Sequence, residues 1–174
     1  MIPPDELRHL REGPRVGERP GGIGTVAMTV SCRRDSAGVI DRARETLAAV
    51  LESAGPPWPS VGAWRGLLPG WFVSACSPER PPEEVAEWLR WWRSLPPDER
   101  AHATEAQEWT LADWLFWLEP VERSWFWWDA RAEDPNTARI EVEVDEWPAP
   151  LGALDWLLRA SGATVVRHDA VVPS

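Results

Sequence analysis

A chain of 174 residues, 44% apolar and 26% charged, can build its own core and is neither disordered nor fibrous in composition. Its net charge of −10 repels phosphate backbones, so nucleic acid is disfavoured as a partner. Two cysteines, no apolar run near the ~20 residues of a membrane helix and no signal-peptide pattern lead us to expect a cytoplasmic protein with no disulfide framework and no membrane association.

The charge is uneven. Residues 1–34 carry six Arg against four acids, and residues 35–174 carry twelve Arg against twenty-four. The chain has 14 Trp, 3 Phe and no Tyr, and every basic side chain is Arg. The surplus of residues with GC-rich codons points to a GC-rich bacterial genome. That bias does not account for fourteen indoles.

Residues 1–23 read as a flexible N-terminal arm, punctuated by Pro3, Pro4, Gly13, Pro14, Gly17, Pro20, Gly21 and Gly22, with a short helix near Leu7–Arg11. The remainder, 24–174, reads as one globular domain with a helical insertion at about 80–119. Gly24–Cys32 alternates as a strand through Val26, Met28 and Val30. Asp35 or Ser36 caps a helix over Ala37–Ser53, whose Val39, Ile40, Ala43, Leu47 and Val50 share one face. Gly55 and Pro56-Pro57 end it. Gly70–Cys76 is apolar and short, and is expected as a second strand closing a βαβ unit.

The insertion is helical. Over Pro82–Ser94, Val85, Trp88, Leu89, Trp92 and Leu95 form a stripe with Trp91 on its flank. Pro96-Pro97 precedes a short helix through Gln107. Thr110-x-x-Asp113 is a capping box, opening a helix with Leu111, Trp114, Leu115 and Leu118 inward. Ser124–Ala132 is a strand with aromatics on both faces, Trp125 and Trp127 on one and Phe126 and Trp128 on the other. Asp134-Pro135-Asn136 turns it into Ala138–Glu146, an antiparallel partner with Ile140, Val142 and Val144 inward. A helix with Leu151, Leu154, Leu157 and Leu158 inward, and a last strand at Ala163–Arg167, complete the chain. The order β-α-β, helical segment, β-β-α-β predicts an α/β (α+β) fold. It would have a mixed sheet of about five strands, in a split-βαβ arrangement, around a Trp-rich core.

Burying one indole removes roughly 150–250 Å² from water, worth roughly 4–6 kcal/mol as an upper bound. Most of the fourteen must therefore lie in the core or an interface. Trp88, Trp92, Trp114, Trp125 and Trp127 (or Trp128) are core by pattern. Trp91, Trp117, Phe116 and Trp156 fall off their helical stripes and are candidates for a contact patch. The face carrying Arg139, Glu141, Glu143 and Asp145 is a second candidate surface.

Catalytic signatures are sparse. There is no GxxxxGK[ST], GxSxG or HExxH. His102, with Glu105 and Glu108 nearby, does not have the spacing of a metal site. One constellation is chemically coherent: if three strands run parallel, Cys32, Cys76, His168 and Asp169 meet at the carboxyl edge of the sheet. A Cys–His nucleophile or a metal site would follow. No local spacing supports it, and no cofactor or metal is expected. The leading expectation is a non-enzymatic, bacterial, cytoplasmic protein-binding domain, acidic like an immunity or inhibitor protein, with a basic partner. The alternatives are a small enzyme or ligand-binding domain using the Cys/His/Asp cluster, and a self-associating structural subunit.

Overall fold

The computed structural model describes residues 5–96, 99, 103 and 109–173. The elements are α1 (Glu6–Glu12), β1 (Gly24–Cys32), α2 (Ser36–Ser53), α3 (Val61–Leu67), α4 (Gly70–Ala75), α5 (Pro82–Ser94), α6 (Leu111–Phe116), β2 (Trp125–Asp134), β3 (Thr137–Val144), α7 (Gly152–Ala160), β4 (Ala163–His168) and β5 (Val172–Pro173). The sheet order is β2-β3-β1-β4, with β5 also on β1, and every pairing is antiparallel. Since β3 separates β1 from β2, those two strands run parallel to each other. Likewise β1 separates the parallel pair β3 and β4. The result is a split-βαβ, ferredoxin-like order, an α+β fold.

The pleat decides which side is the core. Val26, Met28 and Val30 of β1 and Ala138, Ile140, Val142 and Val144 of β3 are buried. They are joined by Trp125 and Trp127 of β2 and packed under α2 and α7. Alternating neighbours such as Thr29, Arg139 and Glu141 face the other way and stay partly exposed. The caps act as expected: Asp35 Oδ1 accepts the Gly38 N–H at 3.2 Å, and Thr110 Oγ1 accepts the Asp113 N–H at 3.1 Å. β4 and β5 share one side of β1, opposite its two halves, and an Asp169 N–H bond to the Ala27 carbonyl (2.8 Å) spans the kink between them.

Two elements differ from expectation. Gly70–Cys76 is not a strand. Phe72 and Val73 donate to the Pro69 carbonyl and Cys76 donates to that of Phe72, making one short helix. Seven residues fit either periodicity, and here only Phe72 is buried, against Trp114 with ring centroids 4.5 Å apart. The strand across α2 is therefore β2, which begins 55 residues after Gly70.

Within the segment expected as an arm, residues 5–18 are held against the domain. α1 packs beside β2, the terminal strand, and buries Glu6, His9 and Leu10. The Glu6 carboxylate pairs with both terminal nitrogens of Arg123, Nη1 at 3.1 Å, and both side chains are fully buried. It also accepts the Trp127 N–H at 2.8 Å. Further along, Glu18 accepts the Arg15 N–H at 2.6 Å and contacts Arg8 and His9, tying residues 15–18 back to α1. The short helix expected after Pro97, and His102, lie outside the described residues.

Gly24 opens β1 at φ +155°, and a Cβ there would run into the Val172 carbonyl of β5. Gly24→Ala is expected to destabilise the fold by about 1–3 kcal/mol, the range for a strained backbone position. Chemical denaturation would measure this; a change under ~0.3 kcal/mol would mean that β5 is not held against β1.

Candidate functional site

The antiparallel sheet scatters the Cys/His/Asp constellation. Cys32 ends β1, buried, its thiol 3.7 Å from the Pro135 carbonyl. His168 pairs with Met28, four positions or roughly 13 Å back along β1. Cys76 caps α4, away from the sheet. His168 instead meets Asp155 of α7 at 2.7 Å, and Asp169 meets Arg139 at 2.8 Å. Burial pushes the Cys76 thiol up to about 11, the opposite of nucleophile activation. The Asp155 hydrogen bond raises the His168 pKa above 6.5. That bond's contribution to stability is complete below 6.5 and is lost as pH rises through the folded value. Among the described residues, no three His, Cys, Asp or Glu side chains gather as a metal site.

The acidic strand face is less acidic in three dimensions than in sequence. Register places Arg131 beside Arg139, and Arg139 and Arg167 on either side of Thr29. Arg131 approaches Glu141 at 3.6 Å and Glu133 at 3.8 Å. Glu141 is thus screened by arginines on its own and the neighbouring strand. Glu143 lies opposite Thr25, and Asp145 is exposed just past the end of β3.

A stronger candidate is a groove of about 780 Å³ between α5, α6 and the start of α7. The sequence builds its walls in three steps. Pro81-Pro82 starts α5, with Glu83 and Glu84 in the first turn. Residues 77–79 are tied to 109–112 by Ser77 N–H to the Trp109 carbonyl (2.9 Å) and Ala112 N–H to Glu79 Oε1 (3.2 Å). The Trp114 indole N–H donates to the Ala153 carbonyl at 2.9 Å, fixing α6 against α7.

Val85, Trp88, Trp92, Trp109, Phe116 and Trp117 supply most of the apolar lining. Trp88 and Trp92 were expected in the core. They are only half-buried, because the stripe of α5 faces this groove and none of the described side chains on α5 is fully buried. Their rings lie 6.2 Å apart and nearly parallel, and Phe116 and Trp117 meet edge to face at 5.3 Å.

No match is found. Neither the family models, nor the curated proteins, nor the solved structures compared with this chain resemble it. The groove must therefore be interpreted from its own chemistry.

Of the residues expected at a contact patch, the structure brings Trp117 and Phe116 to the groove. Trp91 is half-exposed on α5 beside Trp88, 6.4 Å between centroids. Trp156 is half-buried and packs against the core. Sequence reading did not single out Trp109 or Asp113 as groove residues, nor the exposed Trp147. Trp109 stands immediately before the capping box, a position with no helical stripe to assign it.

Neither thiol is poised for chemistry. Both are expected to react slowly with a thiol-specific disulfide reagent at pH 8 in the native state and fully in denaturant, with the Cys76 rate still climbing beyond pH 9. Rapid native modification of either below pH 7 would reinstate a thiolate site.

Proposed function

We propose that this chain is a non-enzymatic protein-binding domain, of the acidic immunity or inhibitor type, acting in a bacterial cytoplasm on a basic partner. The observation that carries this reading is the aromatic groove: Trp88, Trp92, Trp109, Phe116 and Trp117 line a cleft outside the core, and Trp91 stands exposed on one of its helices. Indole and other aromatic anchors dominate the energetics of protein interfaces because a flat ring buries much apolar area at little cost in rotamer entropy. The net charge of −10 would speed encounter with a cationic protein.

Two further observations support the reading. Cys32, His168 and Asp169, the candidate nucleophile, base and acid, each have a different structural partner. No helix among the described residues is long and apolar enough to cross a membrane.

The test is capture from the native host with the intact chain. A stoichiometric partner is expected, with association slowed at least about tenfold by raising salt from low to molar concentration. Trp117→Ala combined with Trp88→Ala should reduce affinity at least about 100-fold, as for two interface anchors. A chain that recovers no partner, or whose partner is indifferent to both substitutions, would refute the proposal. Self-association alone would favour a structural subunit.

A further inference from the structure

The groove contains a carboxylate that has no partner among the described residues. Asp113 lies in the first turn of α6, half-buried, and lines the same groove as the aromatic rings. Its backbone N–H is used by Thr110, but its carboxylate has no partner among the described residues, so the reciprocal bond of a capping box is not made. Glu79, the other acid of the groove, is already engaged by the Ala112 N–H and by Arg65 at 3.5 Å. A half-buried carboxylate in an aromatic-lined groove creates a local negative potential, and ring faces presented to the groove attract a cation as well. The N-terminal end of α6 partly offsets the charge in the absence of a ligand.

Resting on the protein-binding reading, we propose that the groove receives a partner segment in which one Lys or Arg stands among apolar side chains. The apolar side chains lie against Trp88, Trp92, Phe116 and Trp117, and the cation meets the Asp113 carboxylate. The volume of about 780 Å³ holds several side chains, well beyond a single ammonium group. Glu79 being engaged, Asp113 is the carboxylate of this lining left to pair among the described residues, so a single cation at one position is preferred.

The test uses three short amphipathic peptides, identical in their Leu-rich apolar face and differing only in a central Lys, Gln or Glu. Binding to the full chain is followed by calorimetry. The Lys peptide should bind at least tenfold more tightly than the Gln peptide, and the Glu peptide most weakly. Asp113→Asn should erase the Lys preference while leaving Gln-peptide affinity and the melting temperature nearly unchanged. Trp117→Ala should weaken all three. Equal affinity for Lys and Gln peptides would overturn the cation assignment and leave the protein-binding reading standing. If no peptide binds and the groove substitutions do not affect partner capture, both fall.

Discussion

A buried carboxylate at the edge of the sheet is the constraint on which the rest of the architecture depends. β2 is a terminal strand carrying four consecutive aromatics, Trp125 to Trp128, all buried. An exposed edge of that composition would template pairing with other chains. α1 covers it, and Glu6 is the contact: its carboxylate takes the Trp127 N–H and is neutralised by Arg123. Arg123 lies 4.2 Å over the Trp125 ring and 5.6 Å over Phe126, so the cation is held by two rings as well as by the carboxylate. Burial pushes the Glu6 carboxyl up, while Arg123 and the Trp127 N–H pull it down. Taking both ions out of water costs several kcal/mol each, and removing one partner alone typically costs about 3–5 kcal/mol. The pair is better understood as fixing where α1 docks than as a large net source of stability.

The same sheet explains the distribution of the indoles. Helices cover one face and the other is largely polar, so the core has room for few rings of this size. Trp64, Trp114, Trp125 and Trp127 fill it, and Trp128 is buried against His9 of α1. The surplus falls largely in the segment between α2 and β2, where short helices pack against one another rather than on the sheet. Trp58 and Trp71 contribute to this outer packing, through Trp64 and Phe72 respectively. Trp88, Trp92, Trp109 and Trp117 are left lining a groove. An aromatic groove there is the consequence of more aromatic side chains than a single covered sheet face can absorb.

Much of this was legible in the sequence, for reasons particular to each segment. Alternation in β1 and β3 and the long stripe of α2 are signals sustained over many residues, and the order of the elements implied a split-βαβ sheet. Gly70–Cys76 was misread because a seven-residue apolar run carries no decisive period. The stripe of α5 was real but did not say what it faced; amphipathicity looks the same against a core and against an open groove. The docking of α1 had no local signal at all, since Glu6 and Arg123 are 117 positions apart and each resembles an ordinary surface charge. The acidity of β3 is reduced at Glu141 for a related reason: the arginine that approaches it comes from the neighbouring strand.

Amide hydrogen exchange of the native chain reads the central claim directly, at one backbone position. The Trp127 N–H sits on the outer edge of a terminal strand, where an uncovered amide would exchange rapidly. If Glu6 clamps α1 over that edge, this amide is as strongly protected as those in the centre of β1. Exchange at the rate of an open strand edge would contradict the account, detaching α1 and the buried ion pair from the fold.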